Sequence, residues 1–432
     1  MVAAYRGLPR TGLLIVGLFF LASSNSSQSR AEDDKKPANP VRESLLKLNG
    51  ATTEETQTAK LRELIKDKAK AKKAIAEAVK MMKEAKEDEK PFNYNGTVIL
   101  ARAAHILHET AAAERFYEHQ VELATKLKSG AKILSGYEGL IDLNWELKRY
   151  DQVVDVCERL VDMKGPMEVE NAKPFIIERL VQAKAKQGKI DEALTMTKGL
   201  LELTNDAWYF LQLKGWVQRE GGKIDAAIET YTGVLDKLDA DKNLKADAKD
   251  RIKDRVRYTL SGLHVENKDI EKGAKQLEEL IKRNPESATY KNDLGFIWSD
   301  NDMNLEQSEK LIKEALEIDL KEKKKLKEEG KIEEVKENAA YLDSLGWVLF
   351  KQKKYKEALE PLKKASLDED EGGHLEIWDH LADCHMALGD KKAAIAAWEK
   401  ALKMEDISKR DGERRRKVSE KLKKARMDAS KD

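Results

Sequence analysis

Apolar residues along this chain recur with a helical period, and small residues return among them at two fixed offsets. The clearest stretch is Leu342-Asp343-Ser344-Leu345-Gly346-Trp347, followed by Tyr355-Lys356-Glu357-Ala358-Leu359. The pattern comes back as Trp378, Leu381-Ala382, Ala394, Trp398 and Ala401. One helical run, helix A, carries a large and then a small residue at its seventh and eighth positions. A second run, helix B, carries a small residue at the twentieth. Matching sets are Leu100/Ala101 with Ala113, Leu140/Ile141 with Val153, Leu180/Val181 with Ala193 and Lys214/Gly215 with Ala227. They continue as Leu260/Ser261 with Gly273, Leu294/Gly295 with Ser308, Leu345/Gly346 with Ala358 and Leu381/Ala382 with Ala394. Eight units therefore start near 94, 134, 174, 208, 254, 288, 339 and 375, at spacings of 34 to 51 residues.

Close helix packing explains the spacing. Small residues at positions 8 and 20 let two backbones approach while larger neighbours fill the space beside them. One such unit cannot bury its apolar face alone, so neighbouring units supply the missing contacts. The predicted fold is all-α: an α-α superhelical solenoid of about eight helix-turn-helix repeats. Gly-Lys-Ile recurs at 188–190, 222–224 and 330–332. No copy has both the earlier glycine and the following Ser/Thr of a phosphate loop. The first two copies fall where helix A turns into helix B, so glycine is expected there in a left-handed conformation.

Outside the tracked units the pattern changes. Arg6 and Arg10 precede the apolar run Leu13 to Ala22, about half the length that spans a bilayer, with small residues after it. Residues 1–24 read as a signal peptide, cleaved after Ser24 or Ala31, with an uncleaved anchor as the alternative. Residues 25–40 read as a disordered leader. Residues 41–92 read as an N-terminal helical cap or degenerate repeat with an apolar stripe of Leu61, Leu64, Ala71, Ile75, Ala78, Val79 and Met82. Residues 93–253 carry degenerate repeats and 254–404 well-formed ones, with a basic helix over 405–432. Asp236–Lys253 and Leu320–Asn338 are charged insertions, read as solvated helix extensions or a protruding contact arm.

Composition narrows the classes of function. The chain has 432 residues, 37% charged and 41% hydrophobic, with 8 prolines, which suits helix throughout. A net charge of +1 leaves no excess for nucleic acid, so no such partner is expected. Arg414-Arg415-Arg416-Lys417, followed by Val418, Leu422 and Ala425 at helical spacing, is read as a terminal capping helix. A basic patch for an anionic polymer is the alternative. Cys157 and Cys384 fall in different repeats, too far apart to pair in a solenoid, and read as buried small apolar residues.

At Leu342, Leu345, Gly346, Leu349, Ala358, Leu362 and Ala365 the chain resembles the tetratricopeptide repeat family, whose pattern is W-x2-L-G-x2-Y…A-x3-F…P. Trp378, Leu381, Ala394, Trp398 and Ala401 extend the resemblance, which covers about three quarters of the chain. It departs at Lys214 and in lacking proline after most B helices. The resemblance implies a non-enzymatic protein-interaction scaffold whose A helices line a concave groove. Carried over by repeat position, it puts Asn292, Asp293, Phe296, Asp300, Asp343, Ser344, Trp347, Phe350, Asp379, His380 and Asp383 in the groove of the last three units. Earlier units add Glu178, Arg179, Gln182, Gln212, Trp216 and Arg219. The basic clamp the family uses on C-terminal carboxylates is missing.

Partner-binding candidates are therefore Asn292, Phe296, Asp343, Ser344, Trp347, Asp379, His380 and Asp383. An acidic, aromatic groove suits a protein or peptide with basic and apolar residues. Asp343→Lys with Asp379→Lys is expected to weaken partner capture while leaving helicity and melting nearly unchanged. No catalytic constellation, cofactor or metal site is expected. His108-Glu109 opens like the zinc motif HExxH, but position 112 is alanine. His380 and Cys384 are one turn apart, yet repeat register points them apart. The signal segment implies a periplasmic or extracellular location and a bacterial envelope or secretion complex. Assembly of surface polysaccharide or outer-membrane components, through the basic tail, is the competing expectation.

Overall fold

The computed structural model describes residues 39–86, 90–368, 372–404 and 409–429. The expected signal peptide and most of the expected leader lie outside the described residues. Among the described residues there are twenty α-helices and one 3-10 turn, with no strand. They divide into two compact units, one ending at Thr230 and the other beginning at Tyr231.

In the N-terminal unit, α1 (Pro40–Leu46), α2 (Glu54–Ile65) and α3 (Lys68–Glu84) precede the first repeat. The stripe from Leu61 to Met82 is thus shared by two helices. Asp67 interrupts it by capping α3 through the Lys70 amide. Leu45, Leu48, Ala71, Ile75 and Ala78 join the core beneath α4 (Tyr94–Ile106). Consecutive helices then pack in order: α5 (Thr110–Lys126), α6 (Gly130–Glu146), α7 (Tyr150–Asp162), α8 (Met167–Lys186), α9 (Ile190–Leu203) and α10 (Trp208–Glu220). The A helices α4, α6, α8 and α10 also touch one another in sequence, forming a continuous layer. The unit boundary falls within α11 (Ile224–Ala240).

The C-terminal unit repeats this arrangement. It contains α12 (Ala246–Glu266), α13 (Ile270–Arg283), α14 (Ala288–Asp300), α15 (Leu305–Glu328), α16 (Ala339–Lys351), α17 (Tyr355–Leu367), α18 (Leu375–Ala387) and α19 (Lys391–Ala401). Helices α14, α16 and α18 form its A layer. The last helix, α20 (Lys409–Ala429), packs on both α18 and α19, in the place a further helix A would take. Of the two insertions, the first straddles the break between α11 and α12. The second lengthens α15 and then returns irregularly, tied back by Lys323 Nζ donating to the Lys336 carbonyl at 3.0 Å. No described helix is long and apolar enough to cross a membrane.

All eight units share one turn. Its pivot, the fifteenth residue of each unit, has positive φ: His108, Lys148, Gly188, Gly222, Lys268, Asp302, Lys353 and Gly389. The next amide donates back to the carbonyl five residues earlier, for example Lys354 N to Leu349 O at 2.9 Å and Asp390 N to His385 O at 2.9 Å. This closes the open end of helix A and reverses the chain. Five pivots are not glycine, and each stores strain of about 1 kcal/mol. Past the turn, the backbones approach closely. A Cβ on Gly346 would lie 2.4 Å from Leu362 Cγ, and one on Gly295 would lie 2.7 Å from Ile312 Cγ1. Ala358 has no exposed surface.

Three outcomes follow for stability. Lys353→Gly should raise the unfolding free energy by about 0.5–1 kcal/mol in denaturant titration, since the left-handed pivot loses its strain. Ala358→Glu should lower it by several kcal/mol, by forcing a charge into a closed contact; an unchanged midpoint contradicts the packing. Glu309 supplies the third. Burial opposes its charge, but hydrogen bonds from Lys313, Lys354 and Gln352 bring its pKa down to about 2. A lowered carboxylate pKa stabilises the fold above the unfolded value and loses that contribution as pH falls. Between pH ~4.5 and ~2 the wild type should therefore lose more stability than Glu309→Gln, by on the order of 1 kcal/mol once solvent screening of the half-exposed lysines is allowed for.

Candidate partner-binding layer of the C-terminal unit

The A helices α14, α16 and α18 place the candidate residues in one connected network. Helix α18 begins at Leu375, and its apolar face (Ile377, Trp378, Leu381, Ala382) is buried. Helical period then sets Glu376, Asp379, His380 and Asp383 on an adjoining face. His380 is fully buried, and its Nδ1 lies 3.0 Å from both carboxylate oxygens of Asp343 on α16. Its Nε2 lies 3.2 Å from Arg414 Nη1 on α20. A carboxylate only accepts and a guanidinium only donates, so the neutral ring protonated at Nδ1 satisfies both contacts. The indole of Trp347 stacks on His380 at 4.0 Å and 12°, and Phe350 stacks on Trp347 at 5.0 Å and 6°. Trp347 Nε1 donates to Asp300 Oδ1 at 3.2 Å.

Two cations from α20 enter this network. Arg414 contacts Glu376 and reaches Asp379 at 3.4 Å. Lys421 donates to Asp379 at 2.8 Å and to Asp383 at 2.6 Å. Asp379 also accepts from Trp398 Nε1 at 3.1 Å, so it joins α18, α19 and α20. Behind the cations, Val418, Leu422 and Ala425 are buried in the same core as Trp378, Leu381 and Trp398. Burial raises the Asp383 carboxyl, with nearby Asp379 adding to the shift and Lys421 opposing it. Burial disfavours the cationic ring of His380, but Asp343 outweighs it and holds the pKa above its ordinary value; Arg414 opposes this.

The structure thus gathers all eight candidates on the A layer, while leaving little of them open. Asn292 and Ser344 are each 2% exposed, Asp379 3%, and Asp343 and Phe296 5%. Ser344 Oγ donates to the Ala340 carbonyl at 2.9 Å, within its own helix. Asn292 Nδ2 donates to Asp293 at 3.3 Å, while its buried Oδ1 has no hydrogen-bond partner. Phe296 lies 6.4 Å from the His380 ring. The expected tolerance of charge reversal at Asp343 and Asp379 is therefore corrected, because both carboxylates are buried and carry ionic partners. Sequence reasoning does not identify those partners. It places Arg414 in a basic run without assigning it a carboxylate, and it does not single out Lys421.

Other candidates resolve into packing. Cys384 Sγ donates to the Tyr355 carbonyl at 3.3 Å, away from the partners of His380. Both cysteines are buried, which pushes Cys157 up to about 12 and Cys384 up to about 11. His108 is a turn pivot, and His105 lies 3.1 Å from Tyr117 Oη and 3.0 Å from Glu146 Oε2. In the N-terminal unit, Arg179 lies over Trp145 at 5.4 Å and Lys186 over Trp216 at 5.3 Å. Gln182 is buried between Glu178 and Arg179.

Two measurements test this geometry. Asp343→Lys with Asp379→Lys should cost at least about 3–5 kcal/mol of stability, the scale for breaking a buried ion pair. The His380 imidazole should titrate by NMR with a midpoint above 6.5. Its stabilising contribution is then full below 6.5 and lost as pH rises through that midpoint. In Asp343→Asn burial and Arg414 are opposed only by the smaller pull of Glu376, so the midpoint should fall below 6.5.

A family model described as "Tetratricopeptide repeat" matches residues 375–406, which take in α18, α19 and the turn between them. No curated protein sequence matches the chain. Among solved structures, a tetratricopeptide repeat protein from Parabacteroides merdae is 14% identical, with a TM-score of 0.43 over 66% of this chain and 98% of that one. The APC/C hetero-tetramer Cut9-Hcn1 is also 14% identical, with a TM-score of 0.41 over 87% of this chain and 65% of that one. A thermophilic tetratricopeptide protein of Thermus thermophilus is 18% identical, with a TM-score of 0.36 over 49% of this chain and 98% of that one. The family-model match is confined to residues 375–406, and the helix pairs of the other units share the turn geometry found there.

Proposed function

We propose that the chain is a non-enzymatic scaffold that captures a protein or peptide on the A layer of its C-terminal unit. The observation that carries this reading is the charge pattern on α16 and α18. Asp343, Glu376, Asp379 and Asp383 lie beside the Trp347–His380 stack. α20 answers them with Arg414, Lys421 and a short apolar stripe. α20, whose Arg414 and Lys421 already pair with those carboxylates, is an internal example of a segment with basic and apolar residues seated on this layer. Aromatic and aliphatic contacts would supply binding energy, and the carboxylates orientation. The apolar run near the N-terminus, with its preceding arginines, supports export and a role in a bacterial cell envelope.

A second reading rests on the other face of α20. Arg416, Lys417, Lys423 and Lys424 are exposed there and would contact an anionic polymer during assembly of surface polysaccharide or outer-membrane components. Salt separates the two readings. Cross-linking of the full chain in an envelope fraction, followed by peptide mapping, should place a partner's basic segment on α14, α16 or α18, and capture should weaken only modestly with salt, because desolvated ion pairs and apolar contacts are screened less than exposed charges. Cross-links confined to the outer face of α20, with capture falling steeply as salt rises, would favour the polymer instead.

A further inference from the structure

We propose that α20 is an in-chain competitor for this same layer, and that the occupant it stands in for is a basic amphipathic helix of a partner. The inference rests on the scaffold reading and adds the ligand's form and its control. Along α20 the residues that touch the layer and the core form one pattern: Arg414, Val418, Lys421, Leu422 and Ala425. Arginine and lysine stand seven residues apart on one face, with apolar residues between and after them.

Two features make α20 displaceable. Its hold is mostly polar: Arg414 and Lys421 are bound to carboxylates of α18, Arg426 to Glu399, and Arg415 donates to the Leu402 and Met404 carbonyls, while the buried apolar contribution is Val418, Leu422 and Ala425. On its far side Arg416, Lys417, Lys423 and Lys424 remain exposed.

The carboxylates also dictate what can replace α20. Asp379 and Asp383 sit one turn apart on α18 and share Lys421. Removal of α20 without a substitute would leave Glu376, Asp379 and Asp383 crowded together with none of their present cations. An incoming helix must therefore bring positive charge at matching spacing. An acidic or neutral helix would leave the carboxylates unpaired and be rejected.

The test uses the full chain and, as probe, a fluorescently labelled peptide of residues 409–429. Free α20 and peptide compete for one surface, so an α20 docked nine times in ten weakens apparent peptide affinity about tenfold. In the chain carrying Arg414→Glu and Lys421→Glu, the peptide should bind at least about tenfold more tightly than to wild type. It should bind no better to Arg416→Glu with Lys417→Glu, and a peptide with Arg414→Glu and Lys421→Glu should not bind at all. Equal peptide binding by wild type and a folded Arg414/Lys421 variant overturns the proposal.

Hydrogen exchange of the unaltered chain gives a second readout if that variant fails to fold. Amides of α20 should open and exchange before those of α16 and α18, and excess peptide should speed their exchange. Exchange of α20 only together with α16 and α18 overturns the proposal. Natural-partner capture unchanged by releasing α20 would overturn the competition while sparing the scaffold reading. Absence of capture by both proteins would instead sink the scaffold reading, without touching the peptide result.

Discussion

The left-handed pivot between helix A and helix B is the constraint on which the rest of the structure depends. It closes helix A with a backbone hydrogen bond and turns the chain back within a few residues. It also brings a small residue of A against a small residue of B, as at Gly346 and Ala358. Repeated at one offset in eight units, it sets the A helices side by side within each compact unit. A layer of A helices is what allows side chains far apart in sequence, such as Asp300, Trp347, His380 and Arg414, to form one network. Without the fixed turn there would be no layer, and without the layer no shared site.

The network has a polarity that helps explain its arrangement. Carboxylates come from the repeats, and the strong cations that reach Glu376, Asp379 and Asp383 come from the helix after them. His380 sits between the two sets, with Nδ1 facing Asp343 and Nε2 facing Arg414. Buried polar groups of this kind are costly unless each has its partner, so the position of α20 is set by ionic complementarity as well as by apolar area. α20 is therefore both a terminal cover for Trp378 and Trp398 and a charged counterpart of the A layer.

The fold was legible in the sequence because close packing needs small residues at fixed offsets, a local requirement that composition cannot disguise. Gly188, Gly222 and Gly389 even mark their pivots by residue type. His108, Lys148, Lys268, Asp302 and Lys353 do not, since the surrounding helix pair imposes the conformation on side chains that disfavour it. The site was legible only by position. Repeat register correctly brought Asp343, Trp347, Asp379, His380 and Asp383 together, but it carried no information on which helix would come to lie against them. Arg414 and Lys421 are separated from Asp379 by 35 and 42 residues, and no local pattern connects them. The clue available was charge complementarity between an acidic A face and a basic terminal helix.

Specific ion pairs hold α20 to the A layer. A double-mutant cycle between Arg414→Met and Asp379→Asn, followed by denaturant unfolding, measures their coupling directly. Exposed ion pairs couple by less than about 1 kcal/mol, and desolvated, networked pairs by more. The account predicts a coupling above about 1 kcal/mol, with hydrogen exchange of α20 rising in each single variant. Additive effects, with the two substitutions coupling by less than about 0.3 kcal/mol, would contradict it.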